Sequence, residues 1–309
     1  MTIGFYEPYA INTPHFERCL EIIENHLKKG DDVVFIGCQK EFKTCDVNVF
    51  NKKSICTKCT QRCNKGLNLL SKKVKTCKIS SITPQTQKKI DDFINNIPIT
   101  TIEDLKKIKY KNFDIGYAVA SSLISVFRNN KPNPKKLKKL LLKFFEDALT
   151  IYFSVADHIV NEKIEKLYLF NGRYAHQRAA LRAAEYNNIN YCVHEVSFSL
   201  DKYTLHHNAL PHDLENRIRL INEQWSSADK DSRNNIGASF YEDMEKGNLS
   251  TKKYYYAKNQ KQGLLPSNWN KSKENIVIFN SSDDEFAAIG DTWKQPIYNS
   301  QHDGIKQII

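Results

Sequence analysis

The chain has 309 residues, 40% of them hydrophobic, enough apolar surface for one large core or two smaller ones, which excludes disorder along its length. Forty-six basic against thirty-five acidic residues leave a net charge of +11, which favours anionic partners such as phosphorylated lipids, nucleotide diphosphates or nucleic acid. No apolar run reaches the roughly eighteen residues of a membrane span, and the opening Thr2-Ile3-Gly4-Phe5-Tyr6 is not a signal segment, so the sequence predicts a cytoplasmic protein.

In chain order, Ile3 to Tyr6 is short and apolar, Pro14 to Lys28 has helical spacing, and Asp31-Asp32 introduces the apolar run Val33-Val34-Phe35-Ile36. This is a βαβ opening. Gly30 falls where a helix C-terminus wants a residue tolerant of positive φ, and Pro14 falls at a helix start. Nearly continuous apolar strands suit a parallel sheet covered on both faces. A polar, cysteine-rich stretch, 37–77, then reads as an insertion. Helices are predicted over Thr101 to Lys107, Ile115 to Phe127 and Lys136 to Asn161. The basic run Lys131 to Lys143 carries leucines at helical spacing, which predicts an amphipathic helix whose basic face meets solvent or an anionic membrane surface.

The βα rhythm resumes with a strand at Leu167 to Phe170, a helix from Ala175 to Tyr186 and a strand from Asn190 to Val196. Helices follow at Leu214 to Trp225 and around Phe240 to Glu245. Residues 1–257 are thus assigned to one Rossmann-like domain, 258–274 to a linker rich in turn formers, and 275–309 to a second unit. That unit opens with a predicted strand, Asn275 to Phe279, and the acidic helix start Ser281-Ser282-Asp283-Asp284-Glu285. It breaks off after one strand and one helix, an incomplete second Rossmann-like domain.

Five of the eight cysteines, Cys38, Cys45, Cys56, Cys59 and Cys63, fall within twenty-six residues, and one pair is spaced Cys-x-x-Cys. Where no export signal is read, clustered cysteines point to metal ligation before disulfides. Cys38, Cys45, Cys56 and Cys59 make a candidate structural zinc site; an iron–sulfur cluster and unliganded thiols are the alternatives. A zinc-stabilised nucleic-acid-binding protein is a rival reading of the whole chain. For it, Tyr254-Tyr255-Tyr256 with flanking lysines is the candidate stacking patch.

The block Phe170-Asn171-Gly172-Arg173-Tyr174-Ala175-His176-Gln177-Arg178 runs from a strand's carboxyl end into a helix start, where ligands of open α/β sheets bind. Gly172 permits the turn. Asn171, Arg173, His176 and Arg178 offer hydrogen bonds or positive charge to a phosphate or a sugar hydroxyl. The next strand ends in His194-Glu195, a carboxylate beside an imidazole suited to general base work. Tyr203, His206, His207, His212 and Asp213 cluster around Leu210-Pro211, and His206 and His207 are candidates to orient an acceptor. The chain contains no HExxH, GxxxxGK[ST] or GxSxG motif.

Taken in order, several blocks resemble bacterial capsular and lipopolysaccharide biosynthesis proteins of GT-B glycosyltransferase architecture. They are Cys38 to Cys45 with Asp46-Val47-Asn48 and Cys56-x-x-Cys59; Gly116 with Ser121-Ser122-Leu123 and Arg128; Phe170 to Arg173 with His176 and Arg178; His194-Glu195; and Asn280 to Asp284 with Phe286. The resemblance implies two Rossmann-like domains facing a cleft. The first would hold a glycan or lipid-linked acceptor at the cytoplasmic face of the membrane, and the second a nucleotide-sugar donor. It further implies inverting transfer without a catalytic metal, with Glu195, His194 or His176 as the base, and no nucleic-acid partner. An inactive scaffold of polysaccharide assembly is the remaining alternative. Each of these readings requires Arg173, His176 and Glu195 to meet at one crevice.

Overall fold

The computed structural model describes residues 1–79, 82–197, 202–246, 263–290, 293 and 297–308. The tyrosine run 254–256 and part of the predicted linker lie outside the described residues. The opening forms as expected: β1 (Thr2–Tyr6), α1 (His15–Lys29) and β2 (Asp32–Gly37) make a parallel βαβ unit. Gly30 ends α1 at φ 86°, its N–H returning to carbonyls of the last turn.

The cysteine-rich stretch is not an insertion outside the sheet. It contains α2 (Lys53–Leu67) and then β3 (Lys75–Lys78), which pairs parallel with β2. Sequence reading misses β3 because Lys-Thr-Cys-Lys is short and polar, the composition that protects a sheet edge from pairing with another chain. Next come α3 (Pro84–Asn95), capped by the Thr83 hydroxyl and unanticipated, then α4 (Ile102–Lys107), α5 (Ile115–Phe127) and α6 (Lys138–Asn161). Lys135, Lys136, Lys138, Lys139 and Lys143 are exposed while Leu141 is buried, so the basic run is a solvated face over an apolar one.

β4 (Lys166–Phe170), α7 (Ala175–Tyr186) and β5 (Asn190–Val196) continue the parallel sheet, and β6 (Tyr203–His207) closes it antiparallel to β5. The strand order is β3-β2-β1-β4-β5-β6. This is a mostly parallel, open, Rossmann-like α/β sheet. Ile3, Phe5, Val33, Phe35 and Tyr168 point to the face covered by α1, whereas Val34, Ile36, Leu167, Leu169 and Val193 point to the thicker core under α5, α6 and α7. The period-two alternation supplies both faces with apolar groups, which is why the strands read as unbroken hydrophobic runs.

α8 (Leu214–Ser227), α9 (Lys230–Glu245), α10 (Asp283–Ile289) and α11 (Gln301–Ile308) follow. The predicted strand Asn275 to Phe279 does not form: 275–280 lack regular secondary structure, and Ile276 to Phe279 are exposed. A strand is stable only when its ladder is paired, and none of the described strands pairs with this segment. The acidic helix start does begin α10. That helix packs on α5, where the Ser121 hydroxyl donates to the Ala288 carbonyl (2.8 Å) and Lys106 Nζ to the Ala287 carbonyl (2.8 Å). Among the described residues no helix is long and apolar enough to cross a membrane.

Candidate functional site

Between β1 and β4 the chain reverses its winding: β2 and β3 lie to one side of β1, and β4 to β6 to the other. Loops leaving the carboxyl ends of two such strands part company and open a crevice. Here it is a cleft of about 990 Å³, walled by the loop after β1, the β4–α7 turn, the end of β5, and faces of α5, α8 and α10.

The β4–α7 turn is built by two left-handed residues, Asn171 (φ 58°) and Gly172 (φ 71°). Asn171 tolerates that conformation because its side chain bonds locally, its Oδ1 accepting from the Arg173 N–H at 3.2 Å. A Cβ on Gly172 would stand 2.8 Å from Leu210 Cδ2 and 3.1 Å from Leu181 Cδ1. Gly172→Ala is therefore expected to cost roughly 1–3 kcal/mol, from the left-handed φ and the crowding together, read as a lower urea midpoint.

Asn171 Nδ2 donates to one Glu195 carboxylate oxygen at 2.8 Å, and the Val196 N–H donates to the other at 2.8 Å. Burial raises the Glu195 pKa; these bonds and the Arg173 charge oppose the rise without cancelling it. Across the cleft the Arg173 guanidinium lies over the Tyr174 ring (4.6 Å to its centroid), donating to the Tyr174 hydroxyl at 2.7 Å and to Ser125 Oγ at 3.4 Å. His206 lines the same space. It accepts at Nδ1 from Asn216 Nδ2 (3.4 Å) and donates from Nε2 to Thr204 Oγ1 (3.1 Å), and burial lowers its pKa.

Asn171, Arg173, Glu195 and His206 thus meet at one cleft, while the other five predicted substrate or catalytic residues do not line it: Gly172 only shapes the turn, and His176, Arg178, His194 and His207 lie elsewhere. His176 is fully buried between Phe42 and Phe144. Its Nδ1 bonds to the Tyr9 hydroxyl at 2.8 Å, and that hydroxyl donates to Asp46 Oδ2 at 2.5 Å. Since Tyr9 and Asp46 line the cleft, His176 acts behind it as a positioning residue, which corrects its expected role as a base. Arg178 is likewise structural: buried, it donates to the Gly172 carbonyl (2.8 Å) and to Asp114 (3.1 Å), bracing the turn instead of meeting a substrate. His194 and His207 also leave the cleft, because neighbours on a strand point to opposite faces. His194 is buried with its pKa lowered to about 3 by loss of hydration, and His207 is exposed beside Lys166.

Sequence reading missed Tyr9, Asn12, His15, Asp46 and Arg217, all of which line the cleft. The rule that singled out the block after β4 applies equally to the loop after β1, so Tyr9, Asn12 and His15 carried a usable signal. Asp46 was quoted only within the block Asp46-Val47-Asn48 that carries the resemblance, with no site role attached to it, and Arg217 carried no signal. Burial lowers the pKa of both His15 and His212 to about 4, so these cleft imidazoles are neutral at pH 7.

A second, ion-sized pocket of about 30 Å³ lies alongside, lined by Cys38, Cys45, Cys56 and Cys59. Burial pushes the Cys38 thiol up to about 12 and raises Cys45 and Cys59, with nearby sulfurs adding to the rise for the latter two. The four side chains surround one space, but no three of their sulfurs come within 4.8 Å of one another. Ligation would draw them inward by rotamer changes and deprotonate them.

No family model, no curated protein and no solved structure matches this chain.

Proposed function

We propose that this chain is the acceptor-side, Rossmann-like part of a GT-B glycosyltransferase that extends a capsular or lipopolysaccharide-type glycan from a nucleotide-sugar donor. One observation carries the reading: a carboxylate, Glu195, held by Asn171 at the switch point of an open parallel sheet and facing Arg173 across a cleft large enough for a sugar. Glu195 takes the proton of the acceptor hydroxyl. The hydroxyl oxygen bonds to the anomeric carbon as the bond from that carbon to the donor phosphate breaks, and the nucleoside diphosphate departs with the electron pair. Neutral His206 and His212 offer hydrogen bonds to sugar hydroxyls, and Arg173 balances charge on the diphosphate. The four-cysteine pocket is proposed as a structural zinc site outside the reaction, and the exposed lysines of α6 as a peripheral membrane contact at the cytoplasmic face.

The reading is tested by saturation-transfer NMR with capsule-type oligosaccharides and with nucleotide-sugars. Saturable oligosaccharide contact, lost in an Arg173→Ala/His206→Ala variant that keeps the wild-type circular dichroism spectrum, is expected. Oligonucleotide binding that weakens steeply with salt, with no oligosaccharide contact, would move the assignment to nucleic-acid binding.

A further inference from the structure

Beneath the cleft, on the α1 side of the sheet, three side chains that the sugar chemistry does not use point at one another. Glu7 directly follows β1, Cys19 sits in α1 and His194 in β5, and none is more than 2% exposed. One ligand atom from each lies within 4.8 Å of the other two. Glu7 Oε1 accepts from the Tyr9 N–H at 3.1 Å, but Oε2 and both ring nitrogens of His194 make no hydrogen bond. Orphaned polar atoms at such depth cost about 1–3 kcal/mol each, so a trio of this kind needs a species to bind.

We propose that Glu7, Cys19 and His194 hold a structural divalent transition metal, zinc by donor type, in addition to whatever the four-cysteine pocket binds. The geometry suits it. With zinc-to-ligand distances of about 2.0–2.3 Å, ligands of a tetrahedral site stand about 3.3–3.8 Å apart, and Glu7 Oε2 lies 3.8 Å from His194 Nε2, too far for a hydrogen bond. The charge suits it as well. A carboxylate, a thiolate and a neutral imidazole together bring two negative charges, which one dication cancels, while the buried Arg18 guanidinium beside Cys19 also acts on His194. Among the described residues a second His/Cys/Glu group, Cys77, His158 and Glu162, lacks these features: it is half-exposed, His158 already bonds to the Lys78 carbonyl at 2.7 Å, and Glu162 pairs with Lys75. The metal ties β1, α1 and β5 together directly under the cleft, one residue from Glu195 and two from Tyr9.

Metal content tests the site independently of any sugar. The full chain is purified with Zn²⁺ supplied and its zinc counted by mass spectrometry, in the wild type and in a Cys56→Ser/Cys59→Ser variant that disables the four-cysteine pocket. The double variant is expected to keep one zinc per chain, and Cys19→Ala or His194→Gln on that background to lose it. Loading with Co²⁺ gives a second reading: a thiolate-to-cobalt charge-transfer band from a single sulfur in the double variant, abolished by Cys19→Ala, which removes only one buried atom. Should the pocket variant not fold, the wild type against Cys19→Ala decides, with one equivalent of metal expected to be lost. A double variant that folds without zinc, or unchanged metal content in Cys19→Ala, overturns the proposal and leaves the trio sharing a proton or a buried water only.

Discussion

Glu195→Gln is expected to lower turnover by about 10²–10⁴-fold, the range associated with losing a positioned general base, while acceptor affinity changes little. Gln preserves the shape of the side chain and accepts one of the two hydrogen bonds. Asn171 Nδ2 and the Val196 N–H both donate to the native carboxylate, so one of them faces an amide NH₂ in the variant. That mismatch costs about 1–3 kcal/mol of stability, small beside the loss of a proton acceptor. Nucleoside diphosphate release from a donor panel reads the rate, and the NMR titration reads affinity. Unchanged turnover would remove Glu195 from the reaction, and affinity lost together with the rate would reassign it to binding.

The largest stability effect is expected at Asp114→Ala, about 3–5 kcal/mol, or roughly 6–20 °C in Tm. Asp114 accepts from Arg178 Nη1 (3.1 Å), Arg182 Nε (2.8 Å) and Arg182 Nη2 (3.1 Å). Arg182 keeps Glu185 at 2.5 Å, whereas Arg178, 5% exposed, loses its ion-pair partner and is left as a buried charge beside a second guanidinium, with Glu185 acting on it without a direct bond. Arg178→Met is expected to cost less, because Asp114 then retains Arg182. The pH dependence follows from the carboxyl itself. Burial pushes the Asp114 pKa up, but the two guanidiniums outweigh it and hold the value below the ordinary 3.8. A depressed folded pKa contributes stability that is present above the unfolded value and lost as pH falls through the folded one. The Tm gap between wild type and Asp114→Ala is accordingly expected to hold from pH 7 down to about pH 4 and to narrow below it. Scanning calorimetry across that range checks it; a gap independent of pH would mean that the loss comes from packing.

Because Arg178 also holds the Gly172 carbonyl, damage at Asp114 reaches the turn that carries Asn171 and Arg173. A fall in oligosaccharide binding in this variant is therefore a positioning effect, recognisable by partial recovery in Asp114→Asn, which restores one acceptor without the charge.

The amino-acid sequence by itself determined the local and periodic features. Apolar runs at Ile3 to Tyr6, Val33 to Ile36 and Leu167 to Phe170 can be satisfied only by burial on both faces, and Gly30 alone tolerates the φ that ends α1. It equally announced where a crevice would open, at the carboxyl ends of the strands. Only the tertiary structure decided which polar residue of each rim pair looks into that crevice. Strand alternation required His194 and Glu195, and His206 and His207, to part, but the choice of side depends on which face α1 covers and on β6 joining the sheet antiparallel. His176 and Arg178 turned inward for the same kind of reason: the first turn of α7 packs against the Tyr9 loop and Asp114, elements distant in the chain. Short polar edge strands such as β3, and a would-be strand such as Asn275 to Phe279, were decided by whether a partner edge was present, and pairing between remote segments leaves no mark in either segment alone.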